Sequence, residues 1–336
     1  MNKTSRSLTA LIVCMVLLAA AALLLFRQQT GISYANADQY TAGDTDISSP
    51  VENLDIAWAS GRVNVEYHSG SGVSVSETAS RPLSEDEKCR WWLDGATLRI
   101  QFDKPGFRLF GLFRSAEKQL TVSLPEGSVL KSAVIRASSA DLNIAGLAAD
   151  EIVLETSSGD MAASTSARAL AVTSTSGSAD IRQAADLESG SFSSTSGSLG
   201  ISLGSAKTVS AVSTSGSIGL KMSGSAESVV LRSTSGSISQ ETASADRSEC
   251  SSTSGNVTVR PGAFRELQIH STSGSTAAFL PESPGFTCEV STSSGDFSSS
   301  LALRKDGNIY VCGDGSARCS VSTTSGNIRI EKEGAD

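Results

Sequence analysis

Apolar residues in this chain alternate with polar ones in short runs, and the runs restart every nineteen or twenty residues. Aligned on the glycine of Ser/Thr-Ser-Gly, the copies fall at Gly159, Gly177, Gly197, Gly216, Gly236, Gly255, Gly274, Gly295 and Gly326, with steps of 18, 20, 19, 20, 19, 19, 21 and 31. A degenerate copy, Ser138-Ser139-Ala140-Asp141, stands nineteen residues before Gly159. Seven and five residues before the glycine the apolar positions are Ile152 and Leu154, Leu170 and Val172, Val229 and Leu231, and Leu267 and Ile269. Two and four residues after it they are Leu199 and Ile201, Ile218 and Leu220, Val257 and Val259, and Ile328 and Ile330. Period-two alternation marks a strand with one buried face. Each copy therefore predicts strand, Thr-Ser-Gly turn, strand and a second turn, with glycine expected to supply a positive φ.

One copy cannot bury its own apolar face, whereas stacked copies can. The pattern predicts an all-β fold: a β-solenoid, or two-sheet β-roll, of about ten rungs with a narrow core of Val, Ile, Leu, Ala, Phe192 and Phe297. At the ordinary strand spacing of about 4.8 Å, ten rungs would make a rod on the order of 45 Å long. Stacking would also align Thr175, Thr195, Thr214, Thr234, Thr253 and Thr272 into a column whose hydroxyls bond along the rod.

Upstream of the repeat the pattern is looser. Residues 47–130 predict an irregular β start to the solenoid, and 131–336 the repeat proper. Within the former, Arg81–Arg90 and Pro105–Ala116 read as exposed loops. The apolar Phe107, Leu109, Phe110, Leu112 and Phe113 are expected to cover an open end of the stack or to touch a partner. Residues 28–46, small and polar, are expected to be a linker. Leu8 to Phe26 is nineteen residues without a charge, long enough to cross a membrane, with Lys3 and Arg6 before it. Residues 8–27 are thus expected to be a single-pass signal-anchor behind a short cytoplasmic tail, 1–7, with the rest of the chain exported. The competing reading is a signal peptide cleaved after Ala35-Asn36-Ala37, which would make the protein secreted.

Composition narrows the function classes. Aromatic residues make up 5% and charged residues 18% of the chain, and the net charge is −8, so the basic face a nucleic-acid binder needs is missing. His68 and His270 are the only histidines, and neither has Cys or acidic neighbours at metal-ligand spacing. Serine is everywhere in repeated structural positions, so no nucleophile stands apart. Asp141 and Asp160 take the same place after successive turns and are the one pair that could act as a carboxylate couple, as a carbohydrate-active enzyme would need. Asp306, Asn308 and Asp314 match no established calcium loop. The expectation is a non-enzyme with no cofactor and no metal. The sequence also shows no ligand pocket, no aromatic sugar platform and no wall-sorting signal.

Cys14 lies in the apolar run, which leaves Cys89, Cys250, Cys288, Cys312 and Cys319 for an exported domain, where disulfides can form. Cys288 and Cys319 both stand seven residues before their glycines, on rungs expected to be adjacent. Cys312 and Cys319 flank a Gly-Asp-Gly hairpin, and their bridge is the one favoured here. Buried thiols acting as small apolar fillers are the alternative.

Val-Ser-Leu-Pro at 122–125, the repeated Thr-Ser-Gly-Asp/Asn/Ser-Ile units, and the ending from Gly313-Asp314-Gly315-Ser316 through Ser325-Gly326-Asn327-Ile328 resemble the bacterial "putative adhesin" family of unknown function, the toast-rack domains. The resemblance covers about 47–330. It implies a β-solenoid in the cell envelope, in some members beside envelope-stress signalling systems, and it brings no catalytic residues. The expected role is a surface-interaction module that contacts a surface ligand or a membrane protein partner. A stress-sensing or scaffolding subunit is the second reading.

Overall fold

A computed structural model describes residues 34–105, 116–283 and 285–333. Among the described residues the fold is all-β apart from one 3-10 turn at Ala37–Gln39. It divides into two compact units at Asp160/Met161. The division falls later than the expected 130/131 because the strand Leu130–Thr156 belongs to the first unit by pairing. It runs parallel to Asn53–His68, from Asn53↔Ser132 to Val65↔Ile144.

In the first unit Asn53–His68 is the central strand. Its other edge is shared by two shorter parallel strands, Thr97–Gln101 beside its first half and Lys118–Pro125 beside its second. Alternation along them, interrupted in the central strand between Trp58 and Val63, places Leu54, Ile56, Trp58, Val63, Val65, Leu98, Ile100, Leu120, Val122 and Ile135 in the core. Antiparallel partners then close the unit. Arg90–Asp94 folds back on Thr97–Gln101, and Val73–Ala79 on Lys118–Pro125. The expected linker is partly built into this unit. Thr41–Ala42 pairs with Arg90–Asp94, and Thr45–Ile47 with Val73–Ala79, so backbone groups that looked free in sequence are ladder groups. The expected membrane segment 8–27 and the apolar residues Phe107 to Phe113 lie outside the described residues. Among the described residues no helix is long and apolar enough to cross a membrane.

The second unit is built from the repeat. The positions two residues after each turn glycine pair in register: Ala179↔Leu199, Leu199↔Ile218, Ile218↔Ile238, Ile238↔Val257 and Val257↔Thr276. The strands before the turns form a matching parallel ladder, and both sets of apolar positions are buried. Where Gly190 interrupts the inward column, Phe192 fills the space: a Cβ on Gly190 would meet the Phe192 ring at 2.9 Å. The core also holds polar groups that alternation did not announce. Gln240 is fully buried and accepts hydrogen bonds from Ser248 Oγ at 2.7 Å and Cys250 Sγ at 2.9 Å.

The last two copies are stacked out of chain order. Phe264–Ser271 pairs with Ala317–Ser325, and Ala317–Ser325 pairs in turn with Gly285–Ser294. After the turn the same holds, with Thr276–Leu280 beside Ile328–Lys332 and Ile328–Lys332 beside Phe297–Ser299. The final copy is therefore inserted between the two that precede it in sequence. The long step to Gly326 contains an antiparallel hairpin, Arg304–Asp306 and Ile309–Gly313, which covers the outer edge of Gly285–Ser294.

Candidate interaction site

The turn glycines do not serve the conformation expected of them. Of the nine, Gly295 alone has φ between +20° and +160°. The property that eight of them share is crowding. A Cβ on Gly197, Gly216, Gly236, Gly255 or Gly274 would come closer than 3.0 Å to the carbonyl of the preceding turn glycine. Gly326 stands in this way on Gly274, and Gly295 on Gly326, following the spatial order of the copies. The hydroxyls that bind the turns are also not the threonine column. They lie one residue earlier and are buried: Ser233, Ser252 and Ser271 accept the backbone N–H of Gly236, Gly255 and Gly274 at 2.8–2.9 Å. Ser252 and Ser271 also donate to the carbonyl of the preceding glycine, at 3.2 and 3.1 Å. Thr195, Thr214, Thr234 and Thr253 face solvent.

Asp141 and Asp160 do lie side by side, and Asp141 has a structural task. Its Oδ1 accepts the backbone N–H of Asp160 at 3.1 Å, and its Oδ2 is 3.9 Å from Arg62. Asn256 does the same for the N–H of Ser275, and Asn327 for that of Asp296. The position after the turn is thus a clamp between copies. His68 accepts the Gly70 N–H through Nδ1 and sits 2.8 Å from the Gly72 carbonyl through Nε2, bracing a turn; His270 pairs with Ser322 Oγ at 2.9 Å. Asp314 accepts the N–H of Ser316 within the turn that joins Ile309–Gly313 to Ala317–Ser325.

The favoured cysteine bridge is not formed, and its geometry is wrong. Gly285–Ser294 lies between Ile309–Gly313 and Ala317–Ser325, with Phe286 opposite Cys312 on one side and Cys288 opposite Cys319 on the other. Cys312 and Cys319 are therefore on strands two spacings apart, roughly 9–10 Å, beyond the roughly 7 Å a disulfide spans. All five described cysteines are free thiols and all are buried. Burial pushes the Cys89 and Cys250 thiols up to about 12.

A buried ion pair lies in the first unit. Lys118 Nζ is 2.6 Å from Glu77 Oε1, donates to the carbonyls of Glu87 and Phe102, and stands over the rings of Trp58 and Phe102. Desolvation lowers its pKa while Glu77 opposes the shift. With two carbonyl acceptors, a carboxylate in ion-pair contact and two ring faces around it, this ammonium is a paired core element rather than a reactive amine.

The recess best suited to a ligand is in the same unit, where the sequence showed no platform. Pairing of Thr41 with Trp91 brings Tyr40 beside Trp92; Trp92 pairs with Arg99, and Arg99 with Asp55. Four separate segments thus contribute to one cleft of about 210 Å³, completed by Tyr34, Asn36, Asp94 and Gln101. One wall is aromatic: the rings of Tyr34 and Tyr40 are 4.9 Å apart and those of Tyr40 and Trp92 5.6 Å, both edge-on. The floor is polar. Arg99 bonds Asp55 at 2.7 Å through Nη1 and Asp94 at 3.1 Å through Nε, and Arg136 holds the other Asp55 oxygen at 3.3 Å. Tyr34 donates its hydroxyl to the Asp103 carbonyl at 3.1 Å, and burial pushes its pKa to about 12. Asn36, at the rim, is the one described non-glycine residue with positive φ, at 56°.

A family model described as Toastrack DUF4097 matches residues 51–265 and 168–331. The chain belongs to the Toastrack DUF4097 family. No curated protein matches it. Among solved structures, this Toastrack chain is similar to a "putative adhesin" from Parabacteroides merdae at 11% identity, over 87% of this chain and 96% of that one, with a TM-score of 0.48. It is also similar to a "putative lipid binding protein" from Parabacteroides distasonis at 15% identity, over 86% and 96%, with a TM-score of 0.41. A "putative cell adhesion protein" from Clostridium sporogenes matches at 11% identity, over 88% and 100%, with a TM-score of 0.21.

Proposed function

We propose that this Toastrack protein is a non-catalytic, extracytoplasmic cell-envelope module that works by surface contact and is held at the membrane by one N-terminal span. The anchor is supported by the uncharged run from Leu8 to Phe26 behind Lys3 and Arg6. Retention of that span, rather than cleavage after Ala37, is supported by Tyr34, whose ring packs on Tyr40 and whose hydroxyl is bonded at Asp103. Cleavage there would strip one wall of the cleft from the folded unit. A non-catalytic role is supported by the commitment of Asp141 to a backbone amide, which is the use its counterparts Asn256 and Asn327 share.

The observation that carries the reading is the cleft, with an aromatic wall facing a hydrogen-bonding floor. Aromatic faces pack against the C–H side of a sugar ring, while carboxylates, guanidinium and amide serve its hydroxyls. The Arg99 guanidinium is already held by Asp55 and Asp94, which leaves it no uncommitted charge to offer a phosphate or carboxylate ligand. The group it fits is neutral, rich in hydroxyls and about the size of one sugar residue. Calorimetric titration of the full chain with a panel of neutral hexoses and N-acetylhexosamine oligomers tests this. We expect binding without turnover, weakened at least tenfold by Trp92→Ala or Tyr40→Ala. Release of a shortened product, or the same affinity in the variants as in the parent, would overturn the reading.

A further inference from the structure

The inward column of the second unit ends in two thiols. In register it runs Leu170, Gly190, Val209, Val229, Ser248, Leu267, Cys319 and Cys288. The last two are direct partners on neighbouring parallel strands, so their side chains leave the ladder on the same face, about 4.8 Å apart at the backbone. That separation lies inside the range of roughly 4.4–6.8 Å that disulfides use. Cys288 is fully buried and Cys319 is 5% exposed, so the pair is enclosed together rather than shared with solvent. The other cysteines have different neighbours. Cys250 donates to Gln240, Cys89 to the Gly43 carbonyl, and Cys312 stands opposite Phe286.

The position explains what a bond there would do. Gly285–Ser294 is the outermost strand of the parallel stack, and only the inserted final copy connects it to the rest of the ladder. We propose that Cys288 and Cys319 form a structural disulfide that fastens the outermost copy to the inserted one, leaving Cys89, Cys250 and Cys312 as thiols. The chemistry is thiol–disulfide exchange. One cysteine thiolate attacks a sulfur of a donor disulfide, such as that of a thiol oxidoreductase or oxidised glutathione, and releases the donor's other sulfur as a thiolate. The second cysteine then displaces the remaining donor sulfur. Two electrons pass from the two cysteines to the donor, and their two protons end on its thiols. The Cys288 thiol beside it, together with burial, raises the Cys319 thiol well above the ordinary thiol range. Exchange therefore proceeds while the outer copy is still undocked, and the closed pair reacts slowly.

For its oxidant in cells the proposal rests on the export reading; its geometry does not, and two measurements separate them. First, the purified full chain is unfolded, reduced and refolded with oxidised glutathione, then alkylated in denaturant and digested without reduction. A Cys288–Cys319 cross-linked peptide, with Cys89, Cys250 and Cys312 alkylated, is the expected result. Alkylation of Cys288 and Cys319, or a bridge to Cys312, overturns the proposal. Reductant should then lower the unfolding midpoint of the oxidised parent by on the order of 5–10 °C and leave that of Cys288→Ala/Cys319→Ala unmoved. An equal shift in both would also overturn it. Second, the same mapping is done on protein trapped with alkylating agent in intact cells. A bridge supports both readings. Free thiols there, with a bridge in vitro, count against export and against the bond in the cell, while leaving the pairing geometry standing.

Discussion

At Gly236 and its counterparts, what matters is the atom next door rather than the residue's own backbone angles. Successive turns stack so closely that the carbonyl of one glycine occupies the space a side chain on the next would need. Glycines on the strands are different. Gly219 has its nearest neighbour, the Leu199 carbonyl, at 3.9 Å from a Cβ, which is ordinary contact. Gly236→Ala should therefore destabilise the protein by about 1–3 kcal/mol or more, because either the turn or the copy beneath it must shift. Gly219→Ala should stay within about 0.5 kcal/mol of the parent. Urea unfolding of the two variants compares them directly, and equal midpoints would refute the stacking explanation. Flanking serines complete the turn: a buried Ser252 hydroxyl accepts from Gly255 and donates to the carbonyl of Gly236, joining two copies through one atom.

Within the strands, the alternation of apolar residues describes the buried face well but misreads its chemistry in places. Gln240 occupies a slot between Leu220 and Val259 on the neighbouring strands. It gathers the hydroxyl of Ser248 and the thiol of Cys250, and its own amide donates to Thr242 Oγ1 at 3.3 Å. Gln240→Leu should restore an all-apolar column and yet lose stability by about 1–3 kcal/mol, since Ser248 would keep a buried hydroxyl without its acceptor. Adding Ser248→Ala should recover most of the loss, a coupling that chemical denaturation of the single and double variants measures. The copies, their inward positions and the adjacency of Cys288 with Cys319 were legible because a local period encodes them. The cleft was not, since Tyr40, Trp92, Arg99 and Asp55 meet only through the register of strands far apart in sequence. The Cys312–Cys319 expectation failed for a related reason. A hairpin in the sequence suggests neighbours, but here the third strand enters between its arms.

At the scale of the whole molecule, each unit has strands with partners on both sides and strands at an end, and stability should follow that distinction. In a stack whose copies touch only their neighbours, opening begins where one neighbour is missing. Ile218–Ser233 and Ile238–Ser252 are flanked along both ladders, whereas Phe297–Ser299 has a single partner strand, Ile328–Lys332. Amide hydrogen exchange on the full chain should therefore be slowest over 218–252 and fastest, among the second unit's strands, over 297–299. Uniform protection along the second unit would mean that it opens only as a whole.

The insertion of the final copy has a consequence for how the protein is made. A chain that emerges from its N-terminus can lay down most of the second unit in the order of synthesis, each copy finding its seat already present. The segment 285–299 cannot, because the strand it rests on comes from residues 317–332, which emerge later. A segment synthesised later is thus the part that allows an earlier one to dock. A product cut short anywhere between about 300 and 316 would carry the outer copy with nothing to join it to the rest of the stack, and would leave the edges of 264–271 and 276–280 open. Synthesis through residue 332 is in this way written into the closure of the stack, and a molecule cut short before it announces itself by an unprotected edge.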